Sequence, residues 1–247
     1  MTANQQADEL ELKLDRSDSF GSPGYEDFEL SSVLTEAQQL FVKKYFDELN
    51  NKKSKGFQET EIRRQGLGAL IKNASNSSSS SQVGVLDNGV FYDLPADFMY
   101  TIYEECTINK KECSTDNYIK AYVTPISYNE IQRFVNNKYK KPFYKSYGTA
   151  RVWRVEFSRV TTGITTTASA KRHEIITDGT FNVTDYRIRY VKNPLNIVVD
   201  RTTPTNQRNC ELDESTHTVI IDIAYDLMLQ RVKEQKTQTI EPLRELE

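Results

Sequence analysis

YRIRYV at residues 186–191 alternates large apolar side chains with arginines. A period of two places successive side chains on opposite faces of a β-strand, so one face is buried and the other meets solvent. RVWRVEF at residues 151–157 and HEII at residues 173–176 follow a similar pattern. We therefore predict three half-buried antiparallel strands. The tip of a hairpin is predicted at 161–170, between the strands at 151–157 and 173–176.

The strongest helical pattern follows these strands. Asp213 is placed to cap a helix N-terminus, and Glu214 complements the positive end of the helix dipole. The apolar residues after them recur at helical spacing and form one wide stripe: Val219, Ile220, Ile223, Ala224, Leu227 and Met228. We expect this long helix to pack across the sheet or against the first helices of the chain.

Two helices are predicted ahead of the strands. The first covers about 35–50, with the Thr35 hydroxyl as its cap and Gln38 reaching back to the cap residue. The second covers about 58–72, although its two glycines each weaken it by up to ~1 kcal/mol relative to alanine.

The middle of the chain reads as short elements. A strand is predicted at 90–94, and Pro95 then opens a predicted helix over 97–105. Alternation predicts a further strand at 118–123. Ser127 and Glu130 have the spacing of a capping box and predict a short helix after it.

The ends of the chain lack a pattern that builds a core. Residues 1–32 carry eight carboxylates against two basic side chains, so we predict an acidic N-terminal arm. Its sparse apolar residues suit docking onto another subunit: Leu10, Leu12, Leu14, Phe20, Tyr25, Phe28 and Leu30. Residues 233–247 form a second predicted arm, and a Ser/Asn tract predicts a flexible loop over 73–89.

These elements predict an α+β fold. A helical pair and the long C-terminal helix pack with a small, mostly antiparallel sheet, and extended arms stand at both ends. The predicted core spans 33–232 and includes a basic aromatic loop at 138–150.

Composition argues against several functional classes. A net charge of -3 and a pI near 5.6 do not suit a surface that grips nucleic acid over its whole extent. The three cysteines include no C-x-x-C pair, so neither a disulfide framework nor a zinc site is predicted. Without an apolar run of ~18 residues or a signal-peptide core, we expect no membrane contact and synthesis in a cytoplasm.

The sequence also lacks the short motifs that carry a known chemical mechanism, such as the P-loop and the nucleophile elbow. His173 and His217 are the candidates for a base that titrates near neutrality. A nucleophilic pair of Cys210 with His217 is conceivable, but their separation gives no reason to expect contact. We predict no catalytic residue, cofactor or metal, and interpret the chain as a structural protein that assembles with copies of itself.

KYKKPFYKSY at residues 138–147 interleaves lysines with aromatic residues. Such a cluster can grip phosphates and stack bases. It can equally be a polar, hairpin-like loop whose aromatic residues face the core. A third interpretation is a loop that docks on an acidic partner, for which the N-terminal arm of a neighbouring copy is a candidate.

Candidate interface residues come from this loop and from the C-terminal arm. The loop contributes Lys140, Lys141, Phe143, Tyr144, Lys145 and Tyr147. The arm contributes Ile240, Leu243 and Leu246, apolar residues that lie beyond the helical stripe. Apolar side chains on an otherwise polar tail favour docking on another chain.

Three segments carry a resemblance to a known family: VFYDLPADFM at 90–99, YRIRYVKNP at 186–194, and CELDESTH at 210–217. In their order and spacing they resemble head-to-tail connector proteins of crAss-like bacteriophages. More distantly they are similar to the tail tubular adaptor proteins of short-tailed phages. The resemblance spans about 30–235.

The resemblance implies a virion protein, made in the host cytoplasm, that forms a ring of twelve copies at the head–tail junction. Its partners are then the portal, the adjacent neck or tail rings, and genomic DNA that passes through the lumen without sequence-specific binding. An acidic lumen repels the phosphate backbone and lets DNA slide. The alternatives are a sequence-tolerant nucleic-acid-binding module built on 138–154 and an enzyme with an unrecognised site.

Overall fold

The computed structural model describes residues 1–18, 24–46, 61–76, 78–79, 84–111, 118–146, 149–157 and 171–244. The chain divides into two compact units. The helical unit comprises Met1–Leu70 and Asn193–Glu247, and the sheet unit comprises Ile71–Lys192. The predicted α+β class is confirmed, but two units stand where the sequence predicted one core.

The helical unit is formed by α1 (Ala3–Asp18), α2 (Asp27–Phe46), α3 (Glu61–Gly66) and α5 (Glu214–Arg244), with 3-10 turns at Gly68–Leu70 and Pro204–Asn206. Helices α2 and α5 pack on each other, and α1 packs on both. The predicted cap of α5 is confirmed, because Asp213 Oδ1 accepts the Ser215 N–H at 2.9 Å. The buried stripe of α5 consists of Ile220, Ile221, Ala224 and Met228.

The prediction of an extended N-terminal arm over residues 1–32 is wrong. Four buried residues recur along α1 at intervals of three or four: Ala3, Ala7, Leu10 and Leu14. They form a narrow apolar stripe, which the alanines complete and which the many surrounding carboxylates concealed in the sequence. Lys13 Nζ also pairs with Asp222 Oδ1 of α5 at 2.6 Å, so α1 belongs to the core of its own unit.

Helix α2 begins at Asp27 rather than near residue 35. Its N-terminus is half of a capping box, in which Glu29 Oε2 accepts the Glu26 N–H at 3.2 Å. Asp27 and Glu29 stand in the first turn, where negative charge complements the helix dipole. Thr35, the predicted cap, therefore lies inside the helix.

Thr35 instead belongs to a ladder of side-chain hydrogen bonds between α2 and an extended segment, residues 193–201, which we call the strap. From Ile197 to Arg201, every second backbone N–H of the strap donates to α2. Ile197 N donates to Thr35 Oγ1 at 3.0 Å, Val199 N to Ser31 Oγ at 2.9 Å, and Arg201 N to Asp27 Oδ2 at 3.0 Å.

This ladder works because two periods match. Two residues of extended chain rise about 6.6 Å, and four residues of an α-helix rise about 6 Å. Polar side chains at every fourth position of α2 therefore meet every second N–H of the antiparallel strap. The intervening residue Asp200 bonds to α1 instead, since its N–H donates to Asn4 Oδ1 at 3.2 Å and its carbonyl accepts from Asn4 Nδ2 at 3.1 Å.

Two other predicted helical boundaries differ from the structure. Helix α3 is one and a half turns long, and strand β1 (Ile71–Asn76) begins where the second predicted helix was still running. At the other end, α5 continues to Arg244. Residues 233–244 are therefore helical and not an extended arm, which follows from the run of good helix formers Lys, Glu and Gln after 232.

The sheet unit contains β1, β2 (Ser78–Ser79), β3 (Gly89–Asp93), β4 (Phe98–Lys110), β5 (Ile119–Pro125), α4 (Tyr128–Val135), β6 (Phe143–Ser146), β7 (Thr149–Phe157), β8 (Arg172–Ile176) and β9 (Phe181–Lys192). The strand order is β1-β9-β4-β5-β7-β8-β3-β2, and β6 pairs with β7. Only β5 and β7 pair in parallel among the described strands. The mostly antiparallel sheet and the strands predicted at 90–94, 118–123, 151–157, 173–176 and 186–191 are confirmed.

The sheet closes on itself. Strands β1 and β2 stand at opposite ends of the strand order, yet one residue separates them in the chain. Because consecutive Cα atoms are 3.8 Å apart, the two ends of the sheet must meet. The serine-rich segment makes this closure, so residues 73–76 and 78–79 are strands and the prediction of a loop over 73–89 is wrong there. Residues 77 and 80–83 lie outside the described part.

The prediction of a helix over 97–105 is also wrong, because this segment is the first part of β4. Pro95 and an acidic first turn suit a helix start, but Tyr100, Thr101, Ile102 and Tyr103 favour a strand equally. The pairing of β4 with β9 from Phe98 to Lys110 decides between them. The predicted hairpin tip at 161–170 lies outside the described residues.

The closed sheet encloses the larger core. Buried side chains from six strands pack there, among them Tyr92, Cys106, Ile108, Val123, Val152, Ile175, Tyr186 and Ile188. On the outer face, Trp153, Val155 and Ile176 pack with Ile131 of α4. The predicted helix α4 is confirmed, although the Ser127 hydroxyl bonds to the Glu130 carboxylate at 3.3 Å and does not cap a backbone N–H.

The ladder predicts unequal effects for two adjacent serines. Ser31→Ala removes the hydrogen-bond acceptor of the Val199 N–H. Because Val199 is only 4% exposed, this donor is left buried without a partner, and we expect a loss of about 1–3 kcal/mol in the free energy of unfolding. Ser32→Ala at the next, exposed position is the matched control, and its higher helix propensity predicts a small gain. Urea denaturation measures both, and equal midpoints contradict the ladder.

Candidate assembly surfaces

The basic aromatic loop is a fixed turn followed by an edge of the sheet. Two side chains of β7 hold the turn from beneath, because Trp153 Nε1 donates to the Lys140 carbonyl at 2.9 Å and Arg151 NH1 donates to the Tyr139 carbonyl at 3.3 Å. The Tyr139 N–H donates to Asn137 Oδ1 at 3.0 Å. We call residues 138–141 the basic turn.

The aromatic side chains of this loop point in different directions. Tyr144 is half-buried against Phe181, with ring centroids 5.9 Å apart, and Phe143 is half-buried beneath the Arg151 guanidinium at 5.4 Å. Tyr139 is 88% exposed. The interpretation of the loop as one whose aromatic residues face the core thus fits Tyr144, which packs against the core of the sheet unit, but not Tyr139.

The lysines of the loop are exposed: Lys138, Lys140, Lys141 and Lys145. Lys140 Nζ lies 4.2 Å from the centre of the Phe134 ring, a cation–π contact that directs this side chain back over α4. The loop therefore presents a positive surface around Tyr139. Tyr147 lies outside the described residues.

The C-terminal candidate residues lie near or beyond the end of helix α5. Ile240 and Leu243 lie within α5, in a part of the helix where the structure describes the backbone alone. Leu246 lies beyond the described residues.

The helical unit presents an exposed aromatic residue of its own. Phe28 lies in the first turn of α2, is 80% exposed, and has the exposed carboxylates of Glu26 and Glu29 on either side. We call these three residues the acidic corner. In the sequence, this surface could be found as a large apolar residue that lies outside the buried stripe of an amphipathic helix. The sequence analysis missed it because it began the helix near residue 35.

Arg201 of the strap holds this region together. Its NH2 group pairs with Asp8 at 2.9 Å and with Glu11 at 2.8 Å, and NH1 lies 3.5 Å from Asp27. Each exposed pair contributes little by itself, but one guanidinium with three carboxylates forms a network. Arg201 thus engages three carboxylates of the segment 1–32 within the chain.

The interior of the sheet unit holds a closed circuit of polar side chains. Arg154 NH1 lies 2.9 Å from Glu104 Oε1 and 3.3 Å from His173 Nε2. His173 Nδ1 lies 2.7 Å from the Tyr186 hydroxyl, which donates to Glu104 Oε1 at 3.1 Å. Since Arg154 can only donate, His173 accepts at Nε2 and carries its proton on Nδ1.

Burial, reinforced by the Arg154 charge, lowers the pKa of His173 to about 3. Burial raises the pKa of Glu104, although Arg154 and Tyr186 oppose this. His173 is therefore neutral near pH 7 and is fully engaged within the chain. These contacts hold one arrangement of the interior through Arg154 NH1, whereas the buried Arg154 Nε has no hydrogen-bond partner.

The other candidates for chemistry are not brought together into a site. His217 is buried and its Nε2 donates to the Leu212 carbonyl at 3.1 Å, while burial lowers its pKa. Burial raises the pKa of Cys210 to about 11, so its thiolate is disfavoured. Across the described ranges, no group of three or more His, Cys, Asp or Glu side chains is placed to hold a metal ion. No helix in those ranges is long and apolar enough to span a membrane.

Exposed aromatic side chains on hydrogen-bonded backbones, one among lysines and one among carboxylates, are surfaces of the kind that assembling proteins use. Comparison with known proteins places the chain among phage structural proteins. The chain belongs to the phage tail ring protein 3/4 family, whose family model matches residues 1–240. It is 26% identical over 239 residues to ring protein 4/5 of Bacteroides phage crAss001, which covers 92% of each chain. It is 23% identical over 212 residues to ring protein 3 of the same phage, covering 83% of this chain and 84% of the relative. The resemblance to ring proteins of crAss-like phages is confirmed.

The buried circuit predicts a dependence of stability on pH. The pKa of His173 is lower in the folded chain than the roughly 6.5 of an unfolded histidine, so between about 3 and 6.5 the unfolded chain binds one more proton. The free energy of unfolding should therefore fall by about 1.4 kcal/mol per pH unit as the pH decreases from 6 to 4. The raised pKa of Glu104 acts in the opposite sense.

His173→Gln separates the two contributions, because it removes the titrating imidazole and leaves Glu104 in place. We expect the variant to lose less stability than wild type between pH 6 and pH 4, measured by urea denaturation at each pH. Identical slopes contradict the assignment of the low pKa to His173.

Proposed function

We propose that this ring protein forms a ring of twelve copies at the head–tail junction, joins the portal to the tail, and surrounds the path of the genome. The observation that carries the proposal is the family match over almost the whole chain, together with relatives that are ring proteins. The copy number and the place in the particle come from the resemblance to connector proteins of crAss-like phages.

The two units are suited to a ring subunit. A ring grows from heterologous contacts, in which one surface of a copy meets a different surface of the next copy. Each unit presents a large exposed aromatic side chain on a rigid support, Tyr139 in the sheet unit and Phe28 in the helical unit. Aromatic residues on preorganised backbones are the usual anchors of specific interfaces.

The net charge of -3 supports a conduit that does not hold DNA. Carboxylates that face a lumen repel the phosphate backbone, whereas clustered lysines retain it in a manner that depends on salt. We therefore propose that the basic surface around Tyr139 faces protein and not the genome.

Electron microscopy of intact virions tests this function. We expect density for this chain as a twelvefold ring between the portal and the tail. A location away from the head–tail junction contradicts the proposal, and a different symmetry contradicts the copy number alone.

A nucleic-acid-binding module is the second candidate, because four exposed lysines surround an exposed tyrosine. The purified chain distinguishes the two. Salt-dependent DNA binding that Lys140→Glu, Lys141→Glu and Lys145→Glu together abolish favours the module, and no measurable binding favours the ring subunit.

The C-terminal candidates Ile240, Leu243 and Leu246 are proposed to contact the portal or a neighbouring ring. Truncation after Lys233 keeps the buried residues of α5, from Ile220 to Met228. We therefore expect a melting temperature close to that of wild type, together with failure to enter particles. Truncation after Arg244, which removes Leu246 but keeps the helix, shows whether the helical part carries the contact.

Two outcomes contradict this assignment. A melting temperature lowered by many degrees places the segment in the core of its own chain. Complete, DNA-retaining particles built from the truncated chain show that the segment has no role in assembly.

A further inference from the structure

We infer that the acidic corner of one copy (Glu26, Phe28 and Glu29) docks on the basic turn (residues 138–141) of the next copy. The inference rests on the proposed ring and names the partner of its basic aromatic surface. The proposed partner is a second copy of this chain, because the two surfaces carry opposite charges and each has an exposed aromatic ring.

The basic turn is preorganised for docking. Its backbone is held at two successive carbonyls by Trp153 and Arg151, at 2.9 and 3.3 Å. Tyr139 stands at its tip with 88% of its surface exposed. Lys140 lies over the Phe134 ring, so Lys138 and Lys141 are the exposed lysines of the turn that this contact leaves available.

The acidic corner is equally rigid. Glu29 holds the Glu26 N–H at 3.2 Å, and the Leu30 side chain next to them is fully buried. Asp27 is occupied by the strap, since it accepts the Arg201 N–H at 3.0 Å. Phe28 therefore stands 80% exposed on a fixed backbone between the exposed residues Glu26 and Glu29, and Glu29 also accepts the Glu26 N–H through one carboxylate oxygen.

The two surfaces complement each other in kind and number. Each has one exposed aromatic ring, and two lysines on one side meet two carboxylates on the other. Stacked or edge-to-face rings remove both aromatic surfaces from water, and the charges around them set the register of the contact.

A ring requires two different surfaces on every copy. The basic turn belongs to the sheet unit and the acidic corner to the helical unit, so every copy offers both surfaces. A contact between two different surfaces is heterologous and repeats from copy to copy until the ring closes. The fixed backbones reduce the entropy lost in each contact.

Cysteine cross-linking in virions tests the contact directly. The variant carries Phe28→Cys and Tyr139→Cys in one chain and is treated with a short bismaleimide. We expect a ladder of covalent multimers that extends to the complete ring on a denaturing gel. Each single variant and wild type, whose native cysteines give the background, should remain monomeric.

The outcomes separate this inference from the proposed function. A cross-link within one chain, or no ladder from particles in which microscopy shows the ring, overturns the docking and leaves the ring intact. Particles without such a ring overturn both.

Charge exchange gives an independent test. Glu26→Lys with Glu29→Lys should lower incorporation into particles at least tenfold, and Lys138→Glu with Lys141→Glu should do the same. All four changes in one chain restore opposite charges at every contact, so incorporation should recover. Asp15→Lys with Glu61→Lys, at two other exposed acidic positions, is the matched control.

Failure of the fourfold variant to recover overturns the pairing. Suppose that Lys138→Glu with Lys141→Glu loses packaged DNA while Glu26→Lys with Glu29→Lys assembles normally. The basic turn then contacts the genome, and the inference of a contact between copies is wrong.

Discussion

Strand β9 is hydrogen-bonded along both of its edges, and this double pairing positions β1 and β4 and sets the curvature of the sheet. On one side it pairs with β4 from Phe98 to Lys110, and on the other with β1 from Ile71 to Asn76. The β4 pairing includes three irregularities of register, which bend and twist a pair of long strands. Because β1 passes almost directly into β2, this curvature ends in a closed sheet whose interior can hold the circuit of Glu104, Arg154, His173 and Tyr186.

The same run of chain then becomes the strap. Its backbone pairs with another segment at Val198, which exchanges hydrogen bonds with Arg208, so its other N–H groups need side-chain acceptors. Ser31, Thr35 and Asp27 supply them at helical spacing from α2, and Arg201 extends the connection to α1 through Asp8 and Glu11. The N-terminal residues are thereby committed to the core of their own chain, which leaves Phe28 as the large apolar side chain of the acidic corner available to a neighbour.

Rigidity connects the fold with assembly. Trp153 packs on the outer face of the sheet and its indole also fixes the basic turn, so the closed sheet positions Tyr139. Arg201 and the capping residue Glu29 do the corresponding work at the acidic corner. Contacts between preorganised surfaces lose little conformational entropy when they form.

The sequence by itself determined the elements whose pattern is local: the strands at 151–157 and 186–191, the cap at Asp213, and the family resemblance. It found the buried Ile220, Ala224 and Met228 of α5, but it missed Ile221 and placed the exposed Val219 in the stripe. Tertiary structure decided the segments whose local preference is divided. Residues 98–105 suit a helix or a strand until β9 supplies backbone partners, and the serine tract becomes strand because β9 and β3 pair with it. Thr35 resembles a helix cap until the strap, more than 160 residues away in sequence, takes its hydroxyl. Such preferences differ by about 1 kcal/mol or less per residue, and long-range hydrogen bonds and burial exceed that difference.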